Sequence, residues 1–169
     1  YLALRKELNQ KGYVFNSHTD TEVLLAGWCE WQEDIVHRLR GMFSFVIYDA
    51  QKQSIFVVRD PFGIKPLYYT DDGQTIRIAS QVKALVAGGP SRYSADKTAE
   101  VGFYLWGSVQ EPHTLFSEIK AFEPGTSLLL SKNGLRSVKK FMSVSSLVQT
   151  AYEKSLSWTD EEVVDRYRN

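Results

Sequence analysis

The chain has 169 residues and a mass of 19.3 kDa, and 43% of its residues are hydrophobic and 13% aromatic. A chain of this size and composition forms one domain with a substantial core, so long disordered segments are not expected. Its 20 basic and 20 acidic side chains give zero formal net charge, which argues against a nucleic-acid partner, because such binders carry excess Lys and Arg. No apolar run reaches the roughly 18 residues that cross a bilayer, so no membrane partner is expected.

The single cysteine limits the available chemistry. With Cys29 alone, an internal disulfide and a cysteine-based zinc site are excluded, and a reducing, cytoplasmic location is expected. Cys29 lies between Trp28 and Glu30 in a helical pattern, and no histidine stands at helical spacing to act as its base. We therefore interpret Cys29 as a buried structural residue. The three histidines lack the spacing of a metal motif, so no metal site is predicted.

The first forty residues have helical patterns. The spacing of three leucines predicts an amphipathic helix over residues 1–11. Thr19 and Glu22 have the spacing of a capping box and predict the start of a second helix. A third, short helix is predicted over residues 34–40. The second helix presents an apolar stripe formed by Val23, Leu24, Gly27, Trp28 and Trp31.

The pattern then changes from helical to extended. Short turns separate the predicted strands, which favours antiparallel neighbours. The runs 43–47 and 55–58 are apolar almost throughout, so both strands should be covered on both faces in a layered fold. The four strands are predicted over residues 42–48, 54–59, 66–70 and 75–80.

The last third returns to helices and ends in a change of composition. Helices are predicted over 81–87 and 95–106, followed by a hairpin over 126–141 in which Asn133-Gly134 forms the turn. The Ser-rich stretch beyond 142 is interpreted as a linker, with a further helix beginning near Thr159.

The loop over residues 59–66 combines prolines, a glycine and charges between two apolar strands. One interpretation is a wide hairpin loop in which Arg59 pairs with Asp60 and Gly63 supplies a positive φ angle. The alternative places the charges in a contact between domains. A phosphate-binding loop is excluded, because there is one glycine and no following helix.

Asp20 has two interpretations. A carboxylate at a helix start is favoured by the helix dipole and is most often a cap or first-turn residue. Such a carboxylate can also bind the ammonium group of a ligand. The pattern alone favours the first interpretation.

Five motifs occur in an order that resembles the glutaminase domain of glutamine-dependent asparagine synthetases, in the class II glutamine amidotransferases. The resemblance covers residues 1–141, and residues 158–169 resemble the lead-in to the synthetase domain. The motifs are Tyr-Leu-x-Leu-Arg-x-Glu-Leu at residues 1–8, His18-Thr19-Asp20-Thr21-Glu22-Val23, Arg40-Gly41-Met42-Phe43-Ser44-Phe45, the run from Arg59-Asp60 to Tyr68-Tyr69, and the stretch from Leu115-Phe116 to Glu123-Pro124-Gly125.

The resemblance implies an α/β (α+β) fold, the four-layer αββα sandwich of N-terminal nucleophile hydrolases, incomplete at its N-terminus. In this family an N-terminal cysteine attacks the side-chain amide of glutamine, with the chain's own α-amine as base. Ammonia then passes to a synthetase domain, where ATP and Mg²⁺ have activated aspartate. The implied domains are a partial type 2 amidotransferase domain over 1–141, and a linker with the start of a missing synthetase domain over 142–169.

Few of the family's functional residues have a counterpart in this chain. The nucleophile, the carboxylate-binding arginine and the oxyanion Asn-Gly pair all precede the position that matches Tyr1, so no catalytic residue is assigned. Asp20 matches the acidic residue that binds the α-ammonium of glutamine, and the resemblance favours that role over capping. Cys29 does not match the nucleophile. The 169-residue chain alone is expected to be inactive, to need no cofactor, and to expose apolar surface at an open sheet edge.

Other functions remain open at the level of the sequence. A related amidotransferase could aminate another acceptor, such as a sugar or a peptide, because acceptor choice would lie outside this domain. A non-catalytic interaction module, or a domain that binds glutamine without turnover, would have the same fold. The partners implied are L-glutamine and the synthetase domain, with a homodimer left open.

Overall fold

The computed structural model describes residues 1–89, 93–134, 136–155 and Thr159. The helices are α1 (Leu2–Gln10), α2 (Asp20–Trp31), a 3₁₀ helix (Gln32–His37), α3 (Val82–Gly88), α4 (Lys97–Trp106) and α5 (Val144–Ser155). The strands are β1 (Ser44–Asp49), β2 (Ser54–Arg59), β3 (Tyr68–Asp71), β4 (Ile76–Ala79), β5 (Ile119–Ala121), β6 (Thr126–Ser131) and β7 (Arg136–Lys140).

The strands form two antiparallel sheets. One has the order β1-β2-β6-β7 and the other the order β4-β3-β5. The expected antiparallel neighbours are confirmed for β1 with β2 and for β3 with β4. The expectation is wrong for β2 and β3, which follow each other in the chain but belong to different sheets. The loop between them therefore crosses from one sheet to the other and does not close a hairpin.

Strand β2 lies at the centre of the layers. Phe56 and Val58 point to the helical side, where the Trp28 ring stacks on Phe56 at 4.8 Å between centroids. Val57 points to the opposite side and packs with Phe122 near the second sheet. Helix α3 covers the far face of that sheet through β3 and β4. The predicted burial of β2 on both faces is therefore confirmed, and the order of layers is helix, sheet, sheet, helix.

Strand β1 is covered on one face only. Phe45 and Ile47 join the cluster under the helices, whereas Val46 and Tyr48 on the opposite face are exposed. The expectation of two covered faces is wrong for β1, because β1 lies at the edge of its sheet and the second sheet packs against β2 and β6. The exposed pair is apolar surface at a sheet edge, as expected.

Two predicted segments differ from the structure. The helix expected over 34–40 is a 3₁₀ helix over Gln32–His37, because the positive φ of Gln32 ends α2 and the chain restarts in a tighter turn. The expected linker begins with a regular helix, α5, whose apolar residues recur at helical spacing despite the serines. The helix predicted from Thr159 onward falls outside the described residues, apart from Thr159 itself. Within the described ranges, no helix has both the length and the apolar character to cross a membrane.

Candidate functional site

The start of α2 is fixed by two polar side chains. Thr19 is the N-cap, and its Oγ1 accepts a hydrogen bond from the Glu22 amide at 3.4 Å. The Glu22 carboxylate accepts from the amides of Asn16 and Ser17, both at 2.8 Å, and from the Ser17 hydroxyl at 2.6 Å. These bonds, the Ser17 hydroxyl first, hold the pKa of Glu22 below its usual value. The predicted cap is confirmed, and Glu22 also ties down the turn that precedes it.

Asp20 is the first residue of α2 and is exposed. Because Thr19 supplies the cap, the Asp20 carboxylate is not used for that purpose. The carboxylate accepts a hydrogen bond from the Thr21 hydroxyl at 3.5 Å, at the limit of hydrogen-bond distance. None of the ion pairs among the described residues includes Asp20. Its carboxylate is therefore available to a cation from outside the chain.

Asp20 lies at the wall of a pocket of about 460 Å³ between α1, α2 and the segment before β1. Leu4, Leu24 and Phe43 contribute apolar surface. Arg38 and Glu7 form an ion pair at 2.7 Å on the same wall, and the Arg38 guanidinium lies 4.3 Å from the centroid of the Trp31 ring. The other lining residues are Tyr1, Ala3, Val23, Leu39, Arg40 and Met42. A pocket with an apolar floor and a free carboxylate suits a small molecule that carries an ammonium group.

Asp60 connects the 59–66 loop to this pocket. It is fully buried, and its carboxylate accepts hydrogen bonds from the amides of Phe62, Ile64 and Lys65 at 2.9–3.1 Å. Burial alone would raise the pKa of Asp60, but these amides keep it below its usual value. The Asp60 amide donates to the Phe43 carbonyl at 2.8 Å, and Phe43 lines the pocket. The loop therefore fixes part of the pocket wall.

Arg59 and Asp60 do not pair with each other. The Arg59 side chain is 2% exposed and forms an ion pair with Glu111. It also donates to the carbonyls of Gly63, Lys65 and Phe122. The predicted Arg59–Asp60 pair is wrong, because the guanidinium is satisfied by carbonyls and Glu111 while the carboxylate is satisfied by amides. The predicted positive φ of Gly63 is confirmed at 62°.

Cys29 is exposed, which corrects its interpretation as a buried residue. The buried face of α2 carries Val23, Gly27 and Trp28, and each step along a helix turns the side chain by about 100°. Cys29 follows Trp28 and so leaves the core face.

The described part of the chain contains no group of three or more His, Cys, Asp or Glu side chains that could hold a metal ion.

The sequence interpretation missed two groups of polar residues. Glu111 was not singled out, because its partner Arg59 lies 52 positions away. The Asp96 carboxylate caps α4 and also contacts His113 Nδ1 and Lys120 Nζ, each at 3.0 Å. The sequence signal for this cap is an aspartate at the start of a helical pattern, just before Thr98. No sequence signal links Asp96 to its two distant partners, His113 and Lys120.

Comparison with known proteins gives the same family. The family described as "Glutamine amidotransferase domain" matches residues 1–142. Asparagine synthetase [glutamine-hydrolyzing] 1 of Bacillus subtilis is 36% identical over 166 residues, which cover 98% of this chain and 26% of that protein. Asparagine synthetase [glutamine-hydrolyzing] 3 of the same organism is 38% identical over 133 residues, 78% of this chain and 22% of that protein. The chain thus spans about a quarter of the length of these relatives.

Solved structures support the fold. Glutamine phosphoribosylpyrophosphate amidotransferase from B. subtilis superposes with a TM-score of 0.54 at 21% identity, over 83% of this chain and 26% of that one. A structure described as the allosteric regulatory enzyme of purine biosynthesis gives 0.55 at 21% identity, with the same coverage. The expected four-layer αββα fold is confirmed. On the family match and the 36–38% identity to the two synthetases, this chain belongs to the glutamine amidotransferase domain family.

Proposed function

We propose that this chain is the glutaminase part of a glutamine-hydrolysing asparagine synthetase. Glutamine and water would give glutamate and ammonia, and the ammonia would convert an ATP-activated aspartate into asparagine. The names of the relatives and the family match support this proposal. L-glutamine is the proposed ligand of this domain. A synthetase part that uses ATP and Mg²⁺ is its proposed partner.

The observation that carries the proposal is the free carboxylate of Asp20 at the pocket wall. The ammonium group of glutamine would bind there, and this contact would orient the amino acid before its side-chain amide is attacked. Thr19 and Glu22 hold the start of α2, so the carboxylate is preorganised for a cation. We assign Cys29 no role in the attack, since it lies on the exposed side of α2, and we propose that the family's N-terminal cysteine supplies the nucleophile.

The test is Asp20→Ala in the full-length enzyme. Loss of a charge-assisted hydrogen bond of roughly 1.5–3 kcal/mol should reduce glutamine-dependent kcat/KM by about 10- to 150-fold. Synthesis driven by added ammonia should be unchanged, because it bypasses this pocket. Asp34→Ala, which removes an exposed carboxylate of the 3₁₀ helix, is the matched control and should leave both activities unchanged. If Asp20→Ala lowers both activities together, Asp20 is structural and the proposed role is wrong.

Two further expectations belong to the whole enzyme. We propose a cytoplasmic location, which fractionation of the source cells would check. Formation of a homodimer stays a prediction, and light scattering of the full-length enzyme would test it.

A further inference from the structure

The 59–66 loop is held rigidly by internal hydrogen bonds. Three of its amides donate to the buried Asp60 carboxylate, and two of its carbonyls accept from the buried Arg59 guanidinium. The Asp60 carbonyl accepts from the amides of Gly63 and Gly125, both at 3.0 Å. Two buried charged side chains are therefore used to fix the backbone of one surface loop.

The fixed loop presents two large apolar side chains to solvent. Phe62 is 65% exposed and Ile64 is 55% exposed. As long as such side chains stay in water, they lose the favourable free energy of burying apolar surface. An apolar side chain on a backbone that is already ordered loses little conformational entropy when it is covered, which is the property of an interface anchor.

The exposed apolar surface continues from the loop onto α5. Pro61 and Phe62 share a shallow pocket with Pro124, Met142 and Val144, and Val144 is the first residue of α5. Along α5 the exposed apolar side chains recur at helical spacing and form one stripe. This stripe consists of Val144, Leu147, Val148 and Tyr152.

The extents of the sequence matches indicate what covers this surface. The amidotransferase family match ends at residue 142, before α5. The match to the B. subtilis synthetase spans 166 of the 169 residues and so includes α5, in a relative about four times as long as this chain. Helix α5 is thus shared with synthetases beyond the amidotransferase domain, and Phe62 lies beside its first turn.

We propose that Phe62 and Ile64 are docking anchors for the ammonia-consuming part of the same enzyme, which packs over this loop and the apolar stripe of α5. The proposal rests on the proposed function, because it takes a synthetase part as the occupant. Arg59 and Asp60 are positioning residues for the anchors. The buried charges of Arg59 and Asp60 therefore do not enter the contact, since both are used to fix the loop backbone.

The functional test compares Phe62→Ser, Ile64→Ser and the double variant in the full-length enzyme. The measured quantity is glutamate formed per asparagine formed, which reports how well hydrolysis is coupled to synthesis. The double variant should raise this ratio about tenfold, as expected for loss of an interface anchor, while glutamine hydrolysis and ammonia-driven synthesis stay within about twofold of wild type. Val14→Ser changes an equally apolar residue that is 85% exposed and distant in sequence, and should leave the ratio unchanged. A double variant with the wild-type ratio would overturn the proposal.

A second measurement does not depend on activity. In hydroxyl-radical footprinting of the full-length wild-type enzyme, Phe62 and Ile64 should be protected relative to their intrinsic reactivities, whereas Val14 should react freely. Free reaction of both anchors would overturn the docking surface. An enzyme that does not hydrolyse glutamine would overturn the proposed function instead, so the two failures are distinguishable.

Discussion

Arg59 and Glu111, 52 positions apart in the chain, form a two-armed ion pair that joins the end of β2 to the segment between α4 and β5. Arg59 Nη1 lies 2.9 Å from Glu111 Oε2, and Nη2 lies 2.8 Å from Oε1. The two partners differ in environment, because the Glu111 side chain is 43% exposed while Arg59 is buried. The guanidinium therefore has a second role that the carboxylate lacks, which is to satisfy buried carbonyls.

This asymmetry predicts unequal effects on stability. Arg59→Lys keeps the charge but lacks the planar fork, so carbonyls of Gly63, Lys65 and Phe122 lose donors. We expect the free energy of unfolding to fall by about 3 kcal/mol or more. Glu111→Gln should cost less, roughly 1–2 kcal/mol, because the Gln amide oxygen still accepts from the guanidinium and Arg59 keeps its three carbonyl acceptors. Urea unfolding of the full-length variants measures both values, and equal losses would contradict the asymmetry.

The residues that were predicted correctly are those with a local signal. The Thr19 cap depends on a spacing of three residues, and the turn conformation of Gly63 depends on its own backbone freedom. Long-range partners have no such signal. The sequence shows that Arg59 lies in an unusual loop, but it does not identify Glu111 as the partner of Arg59. The two side chains meet because the chain crosses from one sheet to the other.

Burial was predicted less well than secondary structure. The apolar runs of β1 and β2 look alike, yet the second sheet covers β2 and leaves Val46 and Tyr48 exposed. Strand β5 has three residues and was not predicted, since so short a segment carries no periodicity. The binding role of Asp20 stays a prediction that comes from the resemblance, because a carboxylate at a helix start is usually structural.

Gly63 is expected to be intolerant of a side chain. Its φ is 62°, and a Cβ atom there would lie 2.8 Å from Pro124 Cγ and 3.1 Å from Arg59 Cζ. Gly63→Ala therefore adds a steric clash to the cost of the left-handed backbone, about 1–2 kcal/mol by itself. We expect a loss of roughly 2–4 kcal/mol in the free energy of unfolding, measured by urea denaturation.

Gly73→Ala separates the steric cost of a Cβ atom from the cost of the left-handed backbone. Gly73 also has a positive φ, 86°, but a Cβ atom at this position would have no neighbouring atom within 4 Å. This control should show the backbone cost alone, about 1–2 kcal/mol. If Gly63→Ala costs no more than Gly73→Ala, the close approach of Arg59 and Pro124 does not constrain the loop.

Glu22 is expected to position Asp20 without touching the ligand. Glu22→Ala removes the acceptor for the amides of Asn16 and Ser17 and loosens the turn before α2. We expect the KM for glutamine to rise about tenfold, the equivalent of 1.4 kcal/mol, with kcat for ammonia-driven synthesis unchanged.

Thr21→Ala is the matched control, since Thr21 lies on the same turn of α2 and makes one long contact to Asp20. It should leave the KM for glutamine within about twofold of wild type. Glu22→Gln keeps one acceptor oxygen but removes the charge. Partial recovery of the KM for glutamine in this variant would show that the hydrogen bonds of Glu22 matter, and not its charge alone. A Glu22→Ala enzyme with wild-type KM would show that the turn does not position Asp20.

The lowered pKa values of two aspartates predict how the free energy of unfolding depends on pH in acid. The Arg77 guanidinium lowers the pKa of Asp72 from its ordinary 3.8 to about 2. His113 and Lys120 hold the pKa of Asp96 well below its usual range. At low pH the unfolded chain thus binds protons more readily than the folded one. Their contribution to the free energy of unfolding is complete above about pH 5 and is lost progressively below about pH 4, with the loss from Asp96 continuing to lower pH than the loss from Asp72. Urea midpoints measured at falling pH would show this loss.

Asp96→Asn identifies the share of the acid dependence that comes from the charge of Asp96. The amide oxygen of asparagine can still accept from Thr98 and Ala99, since asparagine is as good an N-cap as aspartate. On the side that faces His113 and Lys120 the variant loses the charge together with one acceptor oxygen, because the asparagine nitrogen only donates. Its urea midpoint should therefore fall less steeply with acid than that of wild type, whereas the exposed-site variant Asp34→Asn should keep the wild-type slope. An Asp96→Asn profile parallel to wild type would mean that the charge of Asp96 does not contribute to folding.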